Sequence, residues 1–156
     1  MPLTVQLPPW GQVHQMTEQD YEQWVETQRT RVERYLSAEG IYAPAVGPWP
    51  AFDLAPNFAI WAVESKLVPG KIGWWAFSGD CPTDYVSEDG GCHPRHALEL
   101  LLKQWRKYVL QMKAGKQPEG ASFGRGADLE ELAQLLERRV LILTESLSDD
   151  SQWETA

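Results

Sequence analysis

Lys71-Ile-Gly-Trp-Trp-Ala-Phe-Ser-Gly-Asp-Cys-Pro-Thr-Asp-Tyr-Val86 is the stretch whose reading decides the fold of this chain. Successive side chains of an extended segment point to opposite faces, so Trp75 and Phe77 fall on one side and Ile72 and Trp74 on the other. Both sides are apolar, which places the strand in the interior. Ser78-Gly79-Asp80 breaks it, and Pro82-Thr83-Asp84 supplies the fixed φ and short polar side chains from which turns are built.

Working back from this strand, Phe58 to Glu64 is aromatic and β-branched enough to be its partner, with Phe58, Ile60 and Ala62 on one face and Ala59, Trp61 and Val63 on the other. Pro69-Gly70 closes a turn between the two, so an antiparallel hairpin is expected with its loop around residues 66–70. A lone hairpin is marginal and needs helices or further strands over it; Tyr85-Val86 suits a short third strand. Residues 43–56 hold Pro44, Pro48, Pro50 and Pro56, which rules out a helix interior or a central strand. They read as an extended connector from which Trp49 and Phe52 dock onto the core.

Three amphipathic helices complete the set. Thr17 with Asp20 forms an acidic capping box, and Tyr21, Trp24, Val25, Gln28, Val32, Tyr35 and Leu36 recur at three- and four-residue steps until Gly40. His93-Pro94 opens a second helix, carried by Leu98, Leu101, Leu102, Trp105, Tyr108, Val109 and Met112 and ended by Gly115. Asp128 with Glu131 caps a third, which runs along Leu129, Leu132, Leu135, Leu136, Val140, Leu143 and Leu147 to Ser148-Asp149-Asp150. The fold class is α+β: a small antiparallel hairpin or short sheet packed with three main amphipathic helices, in the order α-β-β-α-α. Residues 1–16 read as an arm, 17–147 as a single domain and 148–156 as an acidic tail, with Trp153 folding back as an anchor.

At 156 residues the chain is large enough for one core without metal or disulfide support, and eight tryptophans supply much of its area. With 14 basic and 22 acidic side chains, the net charge of −8 disfavours phosphate backbones and anionic membrane surfaces and favours a basic partner. No run of ~18 apolar residues and no leader pattern is present, so a cytoplasmic protein is expected. Its cysteines, Cys81 and Cys92, are too few for a secreted disulfide framework.

The turn from Asp80 to Asp89 gathers the residues most able to carry chemistry: Asp80, Thr83, Asp84 and Tyr85, with Glu88 and Asp89. Paired carboxylates act as acid and base when their environments separate their pKa values. Acids flanking proline also commonly accept local backbone hydrogen bonds and fix the turn, and the spacing is not that of an EF-hand. Cys81, Cys92, His93 and His96 lack the paired short spacing of zinc ligands, so no metal or cofactor is expected. Gly120-Ala-Ser-Phe-Gly124-Arg125-Gly126 lacks the Walker lysine and reads as a loop.

Trp75-x-x-Ser78-Gly79-Asp80-x-Pro82-Thr83-Asp84-Tyr85, followed by a helix with Gln104-Trp105 and by Asp149-Asp150-x-x-Trp153, resembles a group of small proteobacterial proteins described as a domain of unknown function. The resemblance covers most of the chain after Thr17. It implies a compact α+β domain and no particular activity. The reading of function is a non-enzymatic protein-binding domain, most concretely an immunity protein neutralising a basic toxin or effector, with Asp80, Thr83, Asp84 and Tyr85 as candidate binding residues. The alternative is a small hydrolase or ligand-binding enzyme, with Asp80 or Asp84 as base and Tyr85 as an orienting donor.

Overall fold

The computed structural model describes residues 16–87, 93–119 and 128–154. The expected arm therefore lies outside the described residues apart from Met16, as do Cys92, Glu88, Asp89 and the 120–126 loop. Helix α1 spans Glu18–Ala38, followed by strands β1 (Phe52–Leu54), β2 (Phe58–Glu64), β3 (Ile72–Gly79) and β4 (Asp84–Ser87), then helices α2 (Pro94–Lys113) and α3 (Leu129–Ser148). The strands form one antiparallel sheet in the order β1-β2-β3-β4. The expected hairpin is β2–β3, and the fold is α+β with a short strand added at each edge. One is β4, around Tyr85-Val86; the other is β1, the proline-free piece of the connector, which takes the edge position that a proline-rich segment can occupy.

Capping residues act as their chemistry dictates. Thr17 Oγ1 accepts from the Asp20 N–H at 3.0 Å while Asp20 Oδ2 accepts from the Thr17 N–H at 3.3 Å, and Asp128 Oδ1 accepts from the Glu130 and Glu131 N–H groups. The sheet is covered on both faces, as the apolar character of β3 requires. Phe58, Ile60, Trp75 and Phe77 face α2 and α3, whereas Ala59, Trp61, Val63 and Ala76 face Val25, Val32 and Leu36 of α1.

Strict alternation fails at one point in β3. Val63 pairs with Trp74 but Glu64 pairs with Ile72, so Gly73 is an extra residue in the ladder. This bulge resets the alternation: Trp74 joins the α1 side, while Ile72 joins Trp75 on the α2–α3 side rather than sharing a face with Trp74. Gly73 is suited to the position because a Cβ there would sit 2.7 Å from Ser65 Cα.

After α3, a single 3-10 turn (Asp150–Gln152) brings Trp153 back onto β1, where its ring stacks on Phe52 at 3.9 Å. Phe52 thus docks as expected. Trp49 does not enter the core: it is 53 % exposed and lies parallel to the Tyr21 ring at 6.2 Å. Among the described residues no helix is long and apolar enough to cross a membrane.

Candidate functional site

The segment from Ser78 to Asp84 is tied to other elements at several of its residues. Ser78, fully buried, accepts the indole N–H of Trp61 at 3.0 Å, which satisfies a polar group that would otherwise be stranded in the α1-side core. Gly79 has φ +133°, and a Cβ there would lie 2.2 Å from the carbonyl oxygen of Asn57. That same carbonyl accepts from the Asp80 N–H at 2.8 Å. Backbone approaches this close only where a side chain is missing.

Asp80 turns away from the local backbone. Arg139, on α3 and almost fully buried, donates Nε to the Asp80 carbonyl at 2.8 Å and Nη2 to Asp80 Oδ2 at 3.0 Å. The carboxylate end of this pair is 57 % exposed, so the guanidinium carries the burial cost while water still reaches its partner. The arginine was hidden in the sequence because it interrupts an otherwise apolar helical stripe.

Asp84 is the most heavily engaged residue of the set. It is 5 % exposed, at the start of β4. Its Oδ2 accepts from Trp105 Nε1 at 2.9 Å and Gln104 Nε2 at 3.0 Å, both on α2, and its Oδ1 accepts from the Tyr85 N–H at 2.8 Å and, more weakly, from the Tyr35 hydroxyl of α1 at 3.4 Å. One carboxyl therefore joins both helical layers around the edge of the sheet. Burial raises its pKa above the ordinary 3.8, the four hydrogen bonds opposing that rise without cancelling it. Local backbone bonding was the expectation for both acids; only the Tyr85 N–H bears it out, because the helices pack close enough for their side chains to reach Asp84 first.

Tyr85 packs edge-on to Tyr35 at 6.1 Å on the α1 side, and burial pushes its phenol up. Thr83 makes no side-chain hydrogen bond among the described residues. Thus Asp84 and Tyr85 sit together at one sheet edge, while Asp80 belongs to a separate clamp with α3. Burial also pushes the Cys81 thiol up, with the Asp80 charge adding to the rise, so the thiol is held protonated and ill suited to nucleophilic attack. Among the described residues no group of three metal-ligating side chains occurs, and His93 is occupied in capping α2, its Nδ1 accepting from the Arg95 N–H at 3.0 Å. Cys92 lies outside the described residues.

Beside Asp84 a groove of about 640 Å³ opens between β4 and α2, with Lys103, Gln104, Lys107 and Tyr108 on the helical wall and Glu119 also lining it. Burial, reinforced by the nearby Asp84, pushes the Tyr108 phenol up to about 12, so it remains a neutral hydroxyl at physiological pH. Sequence reading of the turn missed this groove because its second wall lies on a helix ~20 residues further on, although Gln104-Trp105 was among the residues carrying the resemblance.

The last signature residues are equally engaged. Arg95 on α2 donates to Asp150 Oδ1 at 2.6 Å and to the Leu147 carbonyl at 2.8 Å, and lies over the Trp153 ring at 5.8 Å. Trp153 donates Nε1 to the Ser146 carbonyl at 2.9 Å.

Residues 18–153 match the family described as Domain of unknown function (DUF4826). No curated protein and no solved structure matches the chain.

Proposed function

This chain belongs to the DUF4826 family, and on that premise we propose that it is a non-enzymatic protein-binding domain. One observation carries the reading: the two described acids of the turn, Asp84 and Asp80, are engaged within the fold. Asp84 accepts four hydrogen bonds, which matches the acceptor capacity of a carboxylate, and Asp80 is held by Arg139. A general base needs a free lone pair within reach of a substrate proton; the buried Asp84 offers none, and Asp80, though open to water at Oδ1, is anchored through Oδ2 to the buried Arg139 guanidinium. Ser78, Gly79, Asp150 and Trp153 have structural employment of their own. What this leaves for function is surface recognition.

The most concrete form is an immunity protein that neutralises a bacterial toxin. Its support is the net charge of −8 together with the exposed acids of α1, among them Glu18, Glu22 and Glu26, which would speed capture of a basic partner. The test is co-purification from the native host at low and moderate salt, with the product of the adjacent gene as the first candidate. A stoichiometric partner that is lost from an E22K/E26K variant supports the reading; failure to recover any partner overturns it.

The groove beside Asp84 favours a second reading, a small ligand-binding enzyme, since its size lies in the range of small-molecule sites. Turnover of an ester or phosphoester panel that disappears in a folded Asp84→Asn variant would establish that alternative.

A further inference from the structure

We propose that the groove between β4 and α2 receives an extended acidic segment of a partner protein, which adds to the open edge of β4 as a short fifth strand and sets its carboxylates against Lys103 and Lys107.

β4 ends the sheet, and among the described residues no strand pairs with its outer side. The Tyr85 N–H donates to Asp84 Oδ1, not across to β3. In an antiparallel pair the backbone groups of alternate residues face alternate sides, so the groups of Tyr85 and Ser87 are those turned to the open edge. Asp84 covers the Tyr85 N–H, which leaves the Tyr85 carbonyl and the Ser87 N–H as the ladder positions for an incoming chain. The groove itself is lined by Asp84, Tyr85, Val86 and Ser87. Side chains of consecutive strand residues point to opposite faces, so a surface that touches all four is a backbone edge. This is the geometry by which extended peptides join sheets.

The facing wall selects the charge of the occupant. Leu100, Lys103, Gln104, Lys107 and Tyr108 stand at i, i+3, i+4, i+7 and i+8 and so form one α2 face along the groove. In a chain of net charge −8, α2 carries Arg95, Lys103, Arg106, Lys107 and Lys113 against Glu99 alone. Arg95 is committed to Asp150, Lys113 to Glu137 and Arg106 to the Thr144 hydroxyl. Lys103 and Lys107, the two that line the groove, are exposed and have no acidic partner among the described residues. The acids lining the groove with them are Glu119 and Asp84, the latter with both oxygens covered by donors. A second copy of the chain is a poorer occupant, because edge-to-edge pairing would bring its own lysines against these two. The inference stands apart from the toxin reading, since the acidic α1 packs on the opposite face of the sheet.

The probe is a capped octapeptide alternating glutamate and threonine, titrated into the full chain with amide-resolved NMR. The expected result is saturable binding, with the largest shifts at Ser87, Tyr85, Lys103 and Lys107. Binding should weaken about tenfold or more in K103E/K107E and with added salt, and be lost when alternate peptide nitrogens are methylated. Equal binding of the lysine-threonine counterpart, indifference to N-methylation, or shifts confined to other surfaces would overturn the proposal. So would displacement by inorganic phosphate with the same shifts, dimerisation of the chain through this edge, or no binding at about 1 mM peptide. Loss of the peptide by K103E/K107E with retention of a co-purified basic partner separates this site from the toxin reading.

Discussion

Trp105 donates its indole N–H to Asp84 Oδ2 at 2.9 Å, and both side chains are buried. The bond fastens the middle of α2 to the first residue of β4, and through Gln104 and Tyr35 the same carboxyl reaches two helical layers. Such a network is worth most when complete, because each donor left behind is a desolvated group without a partner.

Asp84→Ala is therefore expected to destabilise the fold by about 2–4 kcal/mol, more than loss of one turn hydrogen bond would. Asp84→Asn keeps one carbonyl acceptor and should cost less. Urea unfolding of the three proteins checks the order.

Stability should depend on pH through the same residue. Burial raises the folded pKa of Asp84 above 3.8, so between 3.8 and the folded value the native state holds more protons than the unfolded chain. Its contribution accordingly falls as pH rises through that window, and the wild-type minus Asp84→Asn difference in unfolding free energy should slope downward there. Asp149, whose pKa is lowered chiefly by the Ser151 hydroxyl, should act in the opposite sense. Its contribution is present above 3.8 and lost as pH falls through its folded pKa. Urea midpoints of both Asn variants across acidic pH would reveal an inverted sign.

Asp80→Ala should cost about 1–3 kcal/mol even though the side chain is largely exposed, because it removes the carboxylate partner of the buried Arg139 guanidinium. Arg139→Met removes the buried charge itself. In a double-mutant cycle the pair of changes should cost less than the sum of the single ones, and strict additivity would show that the two residues are not coupled.

Trp153→Ala should destabilise by about 3–5 kcal/mol, the scale of emptying a buried aromatic site. The ring is 6 % exposed and stacked on Phe52, so the chain beyond α3 is part of the core. A truncation after Ser148 that leaves the urea midpoint unchanged would contradict this.

The helices were readable because their determinants are local. Caps act over three residues, as at Thr17 and Asp20, and an apolar stripe repeats within two turns. The β2–β3 hairpin was readable for the same reason, through alternation and Pro69-Gly70. The bulge at Gly73 was not, since glycine has no side chain to mark a face and the register is set by the partner strand. Nor were the partners of Asp84 and Asp80. Tyr35 and Trp105 lie 49 and 21 residues from Asp84, and Arg139 lies 59 from Asp80, separations over which no sequence periodicity operates.

By itself the sequence determined three amphipathic helices around an antiparallel hairpin, a net negative charge, and a turn rich in side chains that accept hydrogen bonds. Those follow from local backbone preference and from the period with which apolar residues recur. Only the tertiary structure decided which side chains the acids of the turn meet. By bringing α1, α2 and α3 to the β3–β4 edge it engaged Asp84 and Asp80 in the fold, and it set Lys103 and Lys107 beside β4 with no acidic partner among the described residues. Which polar groups are consumed and which remain available depends on distances between elements, and packing alone sets those.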